Sequence, residues 1–223
     1  MLNFEVDPGL LASRVPGGCE LDFFEGRTFV SLVGFLFLET RVLGVPIPFH
    51  RNFEEVNLRF YVRRKGEDGA WRHGVVFVKE LVPRWAVAVV AKNVFGEPYQ
   101  SLPMRHRLEG DQLAYQWRRG GAWEGIEVTM QGEPYTASPG TEPSFITESY
   151  WGYTAWKSGA TAEYAVEHPL WRLRNVADYR LNADFATLYG PAFAGALARK
   201  PSSAFVADGS PVTVGKAHVL RQE

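Results

Sequence analysis

The residues best placed to do chemistry lie in RNFEEVNLRFYVRR, residues 51–64. Alternation sets Val56, Leu58, Phe60 and Val62 on one side and Glu55, Asn57, Arg59, Tyr61 and Arg63 on the other. That is the period of a half-buried β-strand. The polar side lacks the Thr, Ser and Lys of an ordinary solvated face, so it is a candidate pocket wall. A carboxylate held in a pocket can serve as acid or base. Glu55 fits that role, and it fits equally an ion pair with Arg59 or Arg63 on the same face. Arg59 can grip a ligand carboxylate through its planar fork, or pair with Glu55. Asn57 and Tyr61 line the same wall if the face turns inward. Lys79 precedes a proline-started helix whose positive N-terminus would lower its pKa, a second route to imine chemistry. Beside Glu80 it reads equally as half of a surface pair. In MRHRL, residues 104–108, His106 shares a side with Met104 and Leu108, as a base or as a hydrogen-bonded core histidine.

Other chemistries are narrowed by what the chain lacks. It has no P-loop, no strand–G-x-G-x-x-G–helix, no G-x-S-x-G and no H-E-x-x-H. The five histidines show no metal-ligand spacing, and the single cysteine, Cys19, excludes an intrachain disulfide and a Cys-based zinc site. No metal and no cofactor are expected. Basic and acidic residues balance at 24 against 25, which argues against a nucleic-acid or anionic-membrane surface. The longest apolar run, residues 30–38, is too short for a membrane-spanning helix. The opening MLNFEVDPGLL lacks a basic-then-apolar leader pattern, and a cytoplasmic placement is expected from it.

The elements that must position these residues follow from turn signals. Asp7 and Pro8 open a short helix stopped by Pro16, Gly17 and Gly18. Residues 19–43 read as a hairpin around EGR; residues 51–64 and 70–80 read as a second hairpin through KGEDG, with Gly74 as a candidate bulge. VPRWAVAVVAKNVFG, residues 82–96, reads as a buried apolar helix from about Pro83 to Phe95. A meander of short strands fills 101–132, a proline-rich loop 133–144, and strands follow. Asp184 caps helical turns over 184–197, and a final hairpin turns through DGSP. Aromatic residues at 14% and an apolar share of 46% suit a large β-rich core. This pattern predicts a mainly β (α+β) fold: an antiparallel barrel or strongly curled sheet with one buried helix.

VDPGLLASRVPGGCELDFFEGRTFVSLVGF, FEEVNLRFYVRR with VPRWAVAVVAKNVFGEPY, ESYWGYT and HPLWRLRNVADYRLNADFATLYG strongly resemble the YqjF-like family of uncharacterised bacterial proteins, over nearly the whole chain. The chain is more remotely similar to acetoacetate decarboxylase. Asp7, Leu11, Val15 and Pro16 match that family's first helix and its Val-Pro step, and Glu55, Val62 and Gly66 its Glu-led strand. VFGEPYQ matches its aromatic-Pro-Lys-Lys tetrad, with Pro98 in place. The resemblance implies an acetoacetate-decarboxylase-like domain spanning residues 1–223, with a barrel- or cone-like sheet around a central pocket. It also implies that the two lysine positions, which supply the Schiff-base amine and its neighbouring charge, are here Tyr99 and Gln100. Neither side chain forms an imine, so acetoacetate decarboxylation is not expected. Tyr99, in the nucleophile's place, and Gln100 beside it become candidate cavity residues.

The expectation is a protein that binds a small organic acid or carbonyl compound, with no nucleic-acid or membrane partner and a homo-oligomer left open. The alternative is a lyase- or hydrolase-type enzyme with Glu55 as acid/base and Tyr99 or Lys79 assisting. A purely structural or interaction module, its polar face a solvated wall, is the third reading.

Overall fold

The computed structural model describes residues 1–42, 45–46, 52–83, 98–156 and 158–220. Apart from Pro83 itself, the helix expected from Pro83 to Phe95 lies outside the described residues.

In chain order the elements are β1 (Leu2–Val6), α1 (Pro8–Ala12), β2 (Glu20–Leu21), β3 (Thr28–Phe37), β4 (Arg41–Val42) and β5 (Val45–Pro46). Then come β6 (Phe53–Lys65), β7 (Trp71–Val82), β8 (Tyr99–Ser101), β9 (Met104–Glu109), β10 (Gln112–Arg119) and β11 (Ala122–Thr136). The chain continues with α2 (Glu142–Thr147), β12 (Trp151–Ala155), β13 (Thr161–Glu167), β14 (Arg172–Asn182), α3 (Phe185–Tyr189) and α4 (Pro191–Leu197). It closes with β15 (Ser203–Ala207), β16 (Thr213–Val214) and β17 (His218–Val219).

Fifteen strands form one sheet with the main order β16-β13-β12-β7-β6-β3-β1-β15-β14-β11-β10-β9. The expectation of a mainly β fold holds, and of the two shapes expected, a barrel or a curled sheet, it takes the second. The sheet is curled rather than closed: its order ends at β16 and β9, with no ladder joining the two among the described residues. It is also mixed, because β12 and β8 both run parallel to β7.

The local signals are met in part. Asp7 accepts from the Gly9 amide at 2.7 Å, and Asp184 from the Thr187 amide at 3.0 Å, so both expected caps form. Gly120 and Gly121, at φ 56° and 88°, supply the left-handed pair that joins β10 to β11. Two expected hairpins are not built. β2 pairs with β6, leaving only a Phe24–Arg27 bridge around EGR. β15 pairs with β1 and β14, while β16 joins β13, so no ladder spans DGSP. Each of these strands pairs instead with one elsewhere in the sheet.

Two apolar clusters lie on opposite faces of the central strands. The back face carries Val56, Leu58, Phe60 and Val62, which pack with Phe4, Leu32, Trp117, Val128 and the helices α3 and α4. The front face carries Phe29, Tyr61 and Val75, which pack with Ile146 of α2, Leu173 and Phe205. Both faces of β6 are therefore covered, and the polar face is not a solvated wall.

Candidate functional site

On β6 the front face runs Phe53, Glu55, Asn57, Arg59, Tyr61 and Arg63. Its β3 partners in register are Phe37, Phe35, Val33 and Ser31, facing Phe53, Glu55, Asn57 and Arg59. On the other side Glu80 of β7 faces Asn57, and Tyr99 of β8 stands beside Glu80. Glu55, Asn57 and Glu80 expose only 3%, 1% and 2% of their surfaces, which removes them from bulk water. Asn57 Nδ2 donates to Glu55 Oε1 at 2.9 Å. Phe37, Phe53, Val82 and Tyr99 form an apolar patch at that end of the strands, with the Phe37 and Phe53 rings stacked at 4.5 Å.

Arg59 lies further along the same face. Its Nη2 donates to the Ile146 carbonyl of α2 at 3.2 Å, and its guanidinium carbon lies 5.7 Å from the Tyr61 ring centre. Arg63 turns outward to Glu20, Nε to Oε1 at 2.7 Å. The strand arginines thus engage Ile146 and Glu20 rather than Glu55.

Tyr61 heads a buried polar chain. Its hydroxyl and Ser31 Oγ are 2.6 Å apart, Ser31 Oγ donates to Asn3 Oδ1 at 2.6 Å, and Asn3 Nδ2 donates to Ser203 Oγ at 2.9 Å. A serine hydroxyl has one proton, and Ser31 gives it to Asn3, so Tyr61 must be the donor to Ser31.

The other sequence candidates lie on the back face. Lys79 pairs in register with Leu58, and its Nζ donates to the Leu188 carbonyl at the C-terminal end of α3. Its pKa is lowered by burial and then by Arg14. Gln100 pairs with Leu81. His106 is in register with Tyr115 and bonds Glu54 through Nδ1 at 2.7 Å; it is exposed rather than a core histidine. The structure therefore brings Glu55, Asn57, Arg59, Tyr61 and Tyr99 to one face and places Lys79, Gln100 and His106 on the other.

Sequence reasoning passed over Glu80, treating it as the partner of a surface lysine. The reason is a bulge. Phe60 faces Val76, but Leu58 faces Lys79, so Val78 is an extra residue in β7. Beyond it the parity of β7 inverts: Lys79 turns to the back and Glu80 to the front. No turn signal marks that position. Gly74, expected as the bulge, instead makes room for a neighbour, since a Cβ there would lie 2.5 Å from the Trp151 carbonyl oxygen of β12.

Cys19 is half-buried, and burial pushes its pKa up to about 12, which keeps it a thiol at neutral pH. Among the described residues no group of three His, Cys, Asp or Glu side chains is arranged to hold a metal ion.

With the geometry in place, the family described as DUF2071, uncharacterised conserved protein, matches residues 1–211. The chain belongs to the DUF2071 family. A Bacillus subtilis (strain 168) member described as uncharacterized protein YqjF is 30% identical over 177 residues, covering 78% of this chain and 71% of that one. Among solved structures, acetoacetate decarboxylase from Legionella pneumophila superposes with a TM-score of 0.59 at 17% identity, over 99% of this chain and 83% of that one. The enduracididine biosynthesis enzyme MppR, in complex with pyruvate, gives 0.57 at 15% identity, over 98% and 81%. At these identities the likeness is one of fold. This DUF2071 chain thus has an acetoacetate-decarboxylase-like fold, as the sequence resemblance implied. Among its described residues no helix is long and apolar enough to cross a membrane.

Proposed function

We propose that residues 1–223 act as one domain that binds a small organic acid or carbonyl compound against the front face of β6, β7 and β8, without Schiff-base decarboxylation. The observation that carries this reading is the burial of Glu55, Asn57 and Glu80 on one covered face with Tyr99 beside them. Polar groups removed from water are costly unless they serve a bonded network or a ligand. Arg59 on the same strand face supplies the cation that a carboxylate needs. MppR, which shares the fold, is recorded with pyruvate and with a pyruvate condensation product. The imine route finds no amine at the tetrad positions, which are Tyr99 and Gln100, and Lys79 is engaged with α3 behind the sheet.

A thermal-shift screen of small carboxylic and keto acids tests binding. At a concentration one hundred times its Kd, a ligand adds about 2.7 kcal/mol to the folded state, a shift that is easily read. Such a shift is expected in the natural chain and is expected to shrink in Glu55→Gln. The reading fails if no acid moves the melting temperature and Glu55→Gln merely raises it. Borohydride treatment with a keto acid, followed by intact mass, is expected to give no adduct; a lysine adduct would restore imine chemistry.

A second reading is favoured by one feature: two buried carboxyl side chains, Glu55 and Glu80, flank one amide. Paired carboxyl groups suit acid–base work, which makes Glu55 the acid or base of a lyase- or hydrolase-type reaction on the same ligand class. Turnover of a bound acid that is abolished in Glu55→Gln while binding persists would favour it.

A further inference from the structure

We infer that the ligand of the front face is a small carboxylic acid carrying a hydrogen-bond donor, a hydroxyl or an ammonium, on the carbon next to its carboxylate. This rests on the binding reading above and names its ligand class. Two buried atoms carry it: Asn57 Oδ1 and Arg59 Nε have no hydrogen-bond partner. Buried polar atoms in native proteins are nearly always satisfied, so each orphan asks for an explanation. Asn57 is almost fully buried, and its orientation is fixed. Its amide nitrogen must face Glu55, with which it makes its hydrogen bond, and that leaves the oxygen as the orphan. Arg59 is likewise anchored, because Nη2 is committed to the Ile146 carbonyl.

The two orphans make opposite demands. Asn57 Oδ1 needs a donor, and Arg59 Nε–H needs an acceptor. They belong to residues two apart on one face of β6, roughly 6.6–6.8 Å along the strand. A carboxylate on Arg59, with a donor one carbon away on Asn57, bridges that gap through two bonds of ordinary length, about 2.9 Å each. A plain keto acid fits poorly, because it presents an acceptor at both ends. Its carbonyl oxygen would meet Asn57 Oδ1, with the Glu55 and Glu80 carboxyl groups alongside. The same arrangement gives an ammonium an added attraction that a hydroxyl lacks.

Calorimetric titration of the full chain with two matched series tests this. One is propionate, pyruvate, lactate and alanine; the other is the phenyl-substituted set on the same skeleton. The lactate- or alanine-type compound is expected to bind about tenfold tighter than the oxo and unsubstituted acids, the worth of one good hydrogen bond. Asn57→Leu is expected to erase that preference, so that the lactate- or alanine-type compound binds no tighter than the unsubstituted acid. Arg59→Lys is expected to weaken all of them. Equal affinity for the oxo acid, or a preference that survives Asn57→Leu, overturns the inference and leaves the binding reading standing. The comparison within the natural chain needs no variant to fold. Binding by no acid of either series would remove the binding reading and this inference together.

Discussion

Asn57 shows how one side chain couples two others. It donates to Glu55 on its own strand and stands in register with Glu80 on the next. Tyr61 performs a different task two strand-pairs along, where its phenol starts the chain through Ser31 to Asn3. These functions are separable, because one network belongs to the candidate site and the other to the fold. Tyr61→Phe keeps the ring packed on Phe145, whose centre is 5.1 Å away, and removes only the hydroxyl. The variant is expected to lose about 1 kcal/mol in urea unfolding, the usual net worth of a buried hydrogen bond. It is expected to leave acid binding intact; unchanged stability would mean the chain is not holding the strands together. At this scale the sequence was informative. The period-two reading of residues 51–64 placed Glu55, Asn57, Arg59 and Tyr61 on one face, and the structure has them there. It could not say that this face is roofed by α2 and its neighbours, because the cover comes from residues about 85 positions later in the chain.

Between elements, two glycines set how strands approach each other, and they differ in what yields. A Cβ on Gly34 would lie 2.7 Å from the Tyr115 ring, where β10 folds back over β3. A Cβ on Gly74 would lie 2.5 Å from the Trp151 carbonyl oxygen, a backbone atom of β12. A ring can tilt, whereas a strand must move as a whole. Gly34→Ala is expected to cost about 1–3 kcal/mol by overpacking. Gly74→Ala is expected to cost more, and to do so by opening the parallel β7–β12 pairing. Amide exchange at Gly152 and Val75 in a folded preparation is the check; unchanged exchange would mean that the strands tolerate the methyl. These glycines also mark where sequence reading ran out. Gly74 was visible as a special position, but a bulge and a close approach ask for the same residue type. The real bulge, at Val78, uses a valine and leaves no compositional trace, yet it decides that Glu80 rather than Lys79 faces the site.

Across the whole molecule, the sheet is held in one piece by a seam between segments about 200 residues apart. β1 inserts between β3 and β15, and its contact with β15 is short: Leu2 faces Ala204 and Asn3 faces Ser203. On one side of the seam lie β3, β6 and β7 with the candidate site. On the other lie β14, β11, β10 and β9. Asn3 is the clasp. Its side chain reaches Ser203 and Ser31, and its carbonyl accepts from the Ser202 hydroxyl at 3.0 Å and the Ser202 amide at 2.8 Å. Replacing it with leucine keeps the branched outline and strips hydrogen bonds from the buried Ser31 and the half-buried Ser203. Asn3→Leu is therefore expected to destabilise the chain by about 2–3 kcal/mol. The loss should be uneven, because β6 and β7 make ten register pairs with each other and do not depend on the seam. Hydrogen exchange is expected to quicken first in β15 and the adjoining strand β14, while β6–β7 amides stay protected. If β6 and β7 lose protection to the same degree, the seam is not a local joint and the sheet opens as one cooperative unit. In that case binding on the front face would also be linked to Asn3. A ligand held on the Glu55 face would then slow exchange in β15, at the far side of the seam, by the factor through which it stabilises the whole chain.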